Sequence, residues 1–585
     1  VATTTEEVRR FTSGHPHYRW IVLTNTTIGM LMVTVSSSIV LISMPAIFRG
    51  IRLNPLDASN VGYLLWLLMG FLLVSAVLVV TFGRLGDMRG RVRTYNAGFI
   101  IFAITSIVLS LDPWYGRAGA LWLIGWRVVQ AVGGAMIMAN STAIITDAFP
   151  PNRRGMALGI NQVAAIAGSF LGLIVGGVLA DWHWRAIFWV SVPVAVVGAV
   201  WSIVSLHDTG IRHPAKLDIP GNLTFALGLG LILTGVTYGI QPYGKSAMGW
   251  TSPTVVTELA AGVLFLLLFG VVESRTTHPM FHLDLFRIRA FAFGNLAGLL
   301  ASIARGGLQF MLIIWLQGIW LPLHGYSYVR TPLWSSIFLL PLSVGFLLAG
   351  PLSGFLSDRL GARHFAAAGA IVSACAFIGL ALLPVNFPYW GFATLTLFNG
   401  IGSGMFAAPN ATMIMNSVPA AQRGAASGMR LTFFNSGSSL SIGVFFSLMV
   451  VGLSATVPAT LLHGLTAQGV PIAVASHMSA LPPVGLLFAA FLGINPIGAL
   501  LGPTGLLATL SSDHVAALTG NSFFPNLISA PFSGGLHLVF GGAAAMMFLA
   551  AASSWIGGKP EEIHVSAPAV GERTGEEPDE FVLGG

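Results

Sequence analysis

The sequence predicts an all-α polytopic membrane protein: two six-helix pseudo-repeat bundles with two further helices inserted between them, fourteen transmembrane helices in all. Three observations predict it. Of 585 residues, 55% are apolar and only 8% are charged, against about 25% charged in soluble domains. The apolar residues gather into runs of about 20 or more, the length a helix needs to cross hydrocarbon. The chain also repeats itself at a shift close to half its length. This composition excludes a disordered chain, which cannot carry so much apolar surface in water. A single cysteine, Cys375, excludes a disulfide scaffold and a cysteine-rich metal site.

The spans are expected near 20–45, 59–82, 95–111, 118–146, 157–180, 186–206, 221–240, 252–272, 290–320, 332–355, 364–384, 390–416, 424–452 and 536–556. A closed β-barrel also satisfies its backbone in lipid, but it would read as short alternating strands. Orientation follows from Lys and Arg, which concentrate on the cytoplasmic side. With a cytoplasmic N-terminus, 19 of the 28 fall on cytoplasmic segments, 6 outside and 3 (Arg127, Arg305 and Arg430) within spans. We therefore expect a multi-pass protein of the cell (plasma or inner) membrane with both termini cytoplasmic. The net charge of +7 then reflects topology and not a nucleic-acid partner. Residues 1–19 read as a cytoplasmic tail without a cleavable signal peptide, since the span that follows is too long for one. Residues 557–585 read as an acidic cytoplasmic tail. Between the tails lie a first bundle at 20–206, the inserted helices and linkers at 207–289, and a second bundle at 290–556 that includes a long outer loop, 453–535.

The repeat supports that division. A shift of 269 lays Gly133, Pro150, Arg154, Gly155, Gly159 and Gly168 on Gly402, Pro419, Arg423, Gly424, Gly428 and Gly437. A shift of 271 lays Gly83, Leu85, Asp87 and Gly90 on Gly354, Leu356, Asp358 and Gly361. Each matched stretch stands at the same point in the order of helices, which places spans 1–6 opposite spans 9–14.

Several residue groups in this pattern carry chemistry. After span 2 the run 83–93, GRLGDMRGRVR, puts Gly83, Gly86 and Gly90 where two helices turn back closely. Asp87 stands there among Arg84, Arg89, Arg91 and Arg93. Its carboxylate can accept charge-assisted hydrogen bonds from an arginine or a helix N-terminus. The equivalent place after span 10 holds Asp358, Arg359 and Gly361. Arg127 lies about ten residues into span 4, or about 15 Å deep, where an unpaired cation costs at least ~2.5–3.5 kcal/mol. Gln130, one turn on, can share its network, and backbone carbonyls are the other partners open to it. Arg305 is a second deep cation, in span 9, with Gln309 and Gln317 further along. Asp87, Asp147 and Glu258 all fall near predicted span ends, so neither arginine has a carboxylate at its own depth. That pattern suits an anionic or zwitterionic amphiphile; Arg305 as an anchor bonded to carbonyls is the equal alternative. In span 5, Gly168, Gly172, Gly176 and Gly177 recur mainly every four residues, a stripe for close helix packing.

These runs resemble the motifs of the major facilitator superfamily. Residues 83–93 are similar to its loop signature, 127–135 (RVVQAVGGA) to its second motif, and 168–177 (GSFLGLIVGG) to its antiporter motif. Fourteen spans with two extra central helices resemble the drug:proton antiporter branch. The resemblance implies parallel halves with a substrate site near the midplane between them. It implies a cytoplasmic gate at Gly83, Asp87, Arg89, Gly90 and Arg91 with Asp358 and Arg359 as counterparts, proton coupling through Arg127 and Gln130, and export. This chain departs from the pattern at Ala131, where the family has glycine, and at Leu173, where it has proline. In 35–45 (VSSSIVLISMP), Ser36 stands where the branch carries an aspartate. The expected cavity of Ser36, Arg127, Gln130, Arg305 and Gln309 therefore lacks the branch's carboxylate.

The outer loop has no Lys or Arg, and its runs 484–492 (VGLLFAAFL) and 497–510 (IGALLGPTGLLATL) are too short to span. They are expected at the outer interface or as a hairpin over the cavity mouth, and in either case outside the packed core. The stretch Glu273–Arg289 is expected to form a short interfacial helix. The function that fits is a secondary transporter exporting hydrophobic or amphipathic small molecules, embedded in the bilayer, with protons as the coupling ion. An exporter of lipid or cell-envelope precursors is the alternative, and a non-transporting sensor or enzyme on this scaffold is the third reading. An enzyme would need His, Asp, Glu or Ser converging at one depth, but His15, His17, His183, His324, His463 and His514 scatter through tails and loops. No Walker-type run occurs, so ATP is not the direct drive. No cofactor, metal or catalytic residue is expected.

Overall fold

Lipid offers a peptide group no outside partner, so an apolar run must close its hydrogen bonds within itself. In a computed structural model of the chain each run does so as a helix. The structure describes residues 17–558 apart from 55–56, 58–59, 209–216, 245, 247, 278, 280, 420–421 and 493–494, and apart from the side chains at 151–152, 154–155, 358, 424, 499 and 503. Most of the expected N-terminal tail, and the acidic tail beyond Gly558, thus lie outside the described residues.

The first half comprises α1 (Tyr18–Gly50), α2 (Val61–Arg89), α3 (Arg91–Ser110), α4 (Gly116–Ala148), α5 (Pro151–Trp182) and α6 (Ala186–Ser205). Then come α7 (Ile219–Gly239) and α8 (Pro253–Arg275). The second half begins with α9 (Arg289–Leu323), α10 (Thr331–Phe338 continued by Leu340–Leu360), α11 (Ala362–Leu382), α12 (Tyr389–Asn416) and α13 (Arg423–Ser454). Short helices α14 (Val457–Ala467), α15 (Ile472–Ser479), α16 (Pro483–Phe491), α17 (Pro496–Leu501) and α18 (Ser512–Thr519) precede the last long helix, α19 (Phe523–Gly557).

Thirteen of the long helices are apolar enough to cross a membrane by length and composition. The expected span at 390–416 forms α12, whose 28 residues reach about 42 Å; its glycines, threonines and asparagines make it less apolar than the rest. It packs against α10 and α11, as α4 packs against α2 and α3. The joined pair α15 and α16 is also apolar, but the two meet at 84° and do not make one straight crossing.

Packing repeats between the halves. Helices α1 and α5 pair as α9 and α13 do, and α3 meets α6 as α11 meets α19. The closest approaches repeat as well. A Cβ added to Gly98 would meet the carbonyl oxygen of Gly133 at 2.9 Å, and one on Gly133 would meet that of Gly98 at 2.8 Å. In the second half the same test on Gly369 and Gly402 gives 2.6 and 2.7 Å. The turns after α2 and α10 use Gly90 (φ 113°) and Gly361 (φ 93°), a conformation that side chains disfavour.

The halves meet along two seams. On α2 and α13, Thr432 Oγ1 donates to the Ala76 carbonyl at 3.1 Å. On α5 and α10, a Cβ on Gly177 would come within 2.9 Å of Leu333 Cα. Helix α7 leans on α2 and α13, whereas α8 packs on α7 and buries only 17% of its apolar window, so it stands at the periphery.

Three expectations are corrected. The last span begins at Phe523 and not near 536, because Pro525 falls in its first turn and Pro531 is carried inside the helix; the connection is therefore 455–522. That connection does not stand apart from the core. All of α16 is buried: Phe491 meets Phe310 of α9 at 5.3 Å, and Phe488 meets Phe446 of α13 at 4.8 Å between ring centres. The Ala490 carbonyl abuts Gly318 in a π turn of α9, Leu316–Trp320. Nine apolar residues cannot cross a bilayer, but they can wedge between helices that do. Finally, Glu273–Arg289 does not form the expected interfacial helix: α8 runs on through Arg275, and the described residues after it form a 3-10 turn, Leu283–Arg287, with Phe281 and Leu285 buried.

Replacing 483–491 by a glycine–serine linker should therefore cause aggregation in detergent, read by size-exclusion chromatography, whereas replacing the mostly exposed 508–511 should not. Gly90→Ala should destabilise the protein by about 1–3 kcal/mol from backbone strain alone. It should cost more than Gly361→Ala, because the carboxylate of Asp208 fills the place of a Cβ on Gly90, while the nearest atom to Gly361 is His364 Nδ1 at 3.3 Å. Thermal unfolding in detergent checks the order.

Candidate functional site

Three places hold the residues singled out in the sequence. The first lies on the face where the described chain begins and ends. There the α2–α3 turn is locked within its own half. Arg91 donates to Asp87 (Nε to Oδ1, 2.8 Å) and pairs with Asp147 at the end of α4 (2.5 Å). Asp208, just past α6, accepts from the Val92 amide at 2.8 Å and so caps the start of α3. Tyr18 ties the start of α1 to the same place, accepting from the His207 amide at 3.2 Å. Asn140 of α4 fills the space where Gly86 lacks a side chain and donates to the Phe82 carbonyl at 3.2 Å; a Cβ added to Gly83 would meet Ala139 Cβ at 3.9 Å. Arg84 donates to the Pro279 carbonyl in the linker after α8, and Arg89 is exposed. In the second half, Arg359 lies over the Phe355 ring at 4.7 Å, and the side chain of Asp358 lies outside the described residues.

The second place is at mid-helix in the first half. Arg127 is 1% exposed and donates to Gln130 Oε1 at 2.7 Å and to Ser36 Oγ at 3.3 Å. Gln130 Nε2 passes the chain on to Ser106 Oγ at 2.8 Å. Below the guanidinium lies the face of Phe71, 4.4 Å from ring centre to Cζ, a cation–π contact that gains strength away from water. Helices α1, α2 and α4 thus each contribute a group to one cation, α3 joins through Gln130, and Arg127 Nε keeps no hydrogen-bond partner among the described residues. Ser36, the residue standing where the branch has an acid, is the α1 contribution.

The third place is on α9. Arg305 stands over Phe346 of α10 at 5.1 Å, and Gln309 Nε2 is buried with no hydrogen-bond partner among the described residues. Gln317 belongs elsewhere: it donates to Ser335 at 3.0 Å and to the Ile42 carbonyl of α1 at 3.4 Å, bridging the halves. The structure therefore brings Ser36, Arg127 and Gln130 together and leaves Arg305 outside that network. The glycine stripe divides its work. Gly168, Gly172 and Gly176 seat α1, with carbonyls of Leu31, Val35 and Ile39 within 2.6–3.0 Å of the missing Cβ atoms, while Gly177 seats α10.

Asp147 and Asp208 are the partners that the sequence reading left unassigned. Asp208 lies 116 residues from the amide it caps, and no local pattern announces such a pairing.

The comparisons agree with this architecture. The sequence pattern of the Major Facilitator Superfamily matches residues 26–442. The chain is 27% identical over 567 residues to the tetracenomycin C resistance and export protein of Streptomyces glaucescens, covering 94% of this chain and 95% of that one. It is 28% identical over 438 residues to the riboflavin transporter RibZ of Clostridioides difficile, covering 74% and 89%. It is 28% identical over 442 residues to the multidrug resistance protein Stp of Mycobacterium tuberculosis, covering 74% and 77%. Among solved structures, an inward-facing, unoccupied bacterial homolog of the human lysosomal transporter Spinster shares the fold, with a TM-score of 0.55 at 17% identity over 94% of this chain and 100% of that one. With fourteen long helices of the expected order among the described residues, the repeated packing and this match over most of its length, the chain belongs to the Major Facilitator Superfamily of membrane transporters.

Proposed function

We propose that the chain is a secondary transporter that exports amphipathic small molecules across the cell membrane by alternating access, coupled to an ion gradient, with both termini in the cytoplasm. The observation that carries this reading is the buried Arg127 cluster, a four-helix network around a cation that no carboxylate among the described residues neutralises. A group so costly to bury is kept where it meets something. Relatives of this size named for export or resistance support the outward direction, and the excess of Lys and Arg on the terminal face supports the orientation. The bundles at 20–206 and 290–556 would rock about the α2–α13 and α5–α10 seams. Unpaired donors at Arg127 Nε and Gln309 Nε2 favour a substrate rich in acceptors or negative charge.

In this reading the Asp87–Arg91–Asp147 pairing is the gate of the terminal face, made in one state and broken in another. The test is flux in proteoliposomes with and without an imposed pH gradient, using matched anionic, neutral and cationic fluorescent amphiphiles. Flux of none of them, with the protein folded and inserted, would end the proposal.

Asp87→Asn should suppress that flux while expression and insertion stay near normal, and Asp358→Asn should suppress it less. Equal flux in Asp87→Asn and the parent protein would remove the gate. Arg305→Ala should weaken binding of the anionic probe more than the neutral one, by about 1–3 kcal/mol for a lost charged hydrogen bond. Ser36→Asp should place a carboxylate against Arg127, shift preference toward the cationic probe and introduce pH dependence; strict proton-coupled export of the cation by the parent protein would overturn the positive cavity.

A further inference from the structure

Ion coupling, as proposed above, needs a group that takes and releases the ion, and the deep arginine cluster offers no carboxylate to do so. Two carboxylates are nevertheless buried together elsewhere. Asp218, the cap of α7, and Glu273, near the end of α8, are 4% and 3% exposed. Asp218 Oδ1 accepts from the Gly221 amide at 2.8 Å, and Glu273 Oε2 accepts from the Phe281 amide at 3.1 Å. Their other oxygens converge on one spot: a Cβ on Gly221 would meet both Asp218 Oδ2 and, at 2.7 Å, Glu273 Oε1. Glu273 Oε1 has no hydrogen-bond partner among the described residues. Two carboxylate oxygens that face each other away from water need a proton between them, since like charges at that range cannot both persist.

The surroundings keep the spot dry and connect it to the gate. Phe281, whose amide Glu273 accepts, packs its ring 5.9 Å from Phe225 of α7, 5.4 Å from Phe269 of α8 and 6.1 Å from Phe433 of α13. Among the described residues Arg84 of α2 is the cation that faces the pair, and its charge interacts with Glu273, Asp218 and Asp87, four residues before Arg91. It also donates to the Pro279 carbonyl, so one short stretch of linker is held by Arg84 on one side and by Glu273 on the other. His282 lies beside them, pushed below its ordinary range by burial and by the charge of Arg84. Arg275, Asp284 and Arg287 on these elements are exposed, and α13 carries Arg423, exposed at its start, and Arg430, one turn before Phe433.

We propose that the Asp218–Glu273 pair is a proton-binding site which links the two inserted helices to the α2–α3 turn through Arg84. With the proton bound, the pair carries one negative charge and Arg84 is shared between it and Asp87. On release the pair carries two, and Arg84 is drawn toward it and away from Asp87, whose hold on Arg91, and with it the Arg91–Asp147 pair, changes in turn. The site rests on the coupled-transport reading for its purpose but not for its existence.

The experiment is an infrared pH titration of the full chain in lipid nanodiscs, following the carbonyl stretch of protonated carboxyl groups. The parent protein should show a component that outlasts the titration of exposed carboxyls. Glu273→Gln, which keeps the acceptor for the Phe281 amide and so the local fold, should abolish that component, and Asp218→Asn should move it to lower pH. Arg84→Gln, which removes the facing cation, should move it to higher pH by about 1–3 units; a merely structural arginine would leave it in place. An unchanged component in Glu273→Gln, or an unmoved one in Arg84→Gln, overturns the proposal. Flux that ignores the pH gradient while the component behaves as expected would remove the coupled-transport reading and leave the proton site standing.

Discussion

The structure depends first on how closely its helices can approach where glycine removes the side chain. In lipid there is little hydrophobic drive between apolar helices, so attraction comes from contact area and from polar groups that find one another. Gly98 against Gly133, repeated by Gly369 against Gly402, brings backbone to backbone, and the contacts of Gly168 and Gly437 with the carbonyls of Leu31 and Leu299 do the same for α1–α5 and α9–α13. Once those pairs are set, the remaining positions are determined: α4 and α12 lie inside their halves, and their polar side chains must be satisfied there. Arg127 is the extreme case, held by Gln130, by the hydroxyl and carbonyl of Ser36 and by the Phe71 face.

Charge is arranged by the same constraint. Ion pairs among the described residues sit at helix ends, with Arg91 between Asp87 and Asp147 and Arg117 against Asp57. The interior keeps cations over aromatic faces, as at Arg127 and Arg305. Carboxylates that are buried lie near an end, as Asp218 and Glu273 do, where a partner charge or a proton can arrive from water.

Much of this was legible in the sequence, and the limits are physical. Helix order followed from run length, and the repeat followed from glycines whose spacing is forced by close packing. The Ser36–Arg127–Gln130 contact was accessible because three of its terms are local: depth, the one-turn step to Gln130, and the motif position of Ser36. Asp208 and the Asp218–Glu273 pair were not accessible, since their partners come together only after several helices have been placed. Helix α16 failed for another reason. A nine-residue apolar run carries no period long enough to tell surface from core, and only the gap between α9 and α13 decides where it goes.

The relative polarity of α12 has a consequence for how the chain is made. A segment rich in glycine, threonine and asparagine gains little by leaving the translocon alone, and α12 is the long helix that falls short on composition. Its polar groups are answered by neighbours: Asn399 and Ser373 exchange hydrogen bonds with each other's backbone, and Asn410 donates to the Gly294 carbonyl. Two of those neighbours, α9 and α11, are synthesised before it. The polar groups of α12 thus enter lipid at lower cost once these earlier helices stand beside it.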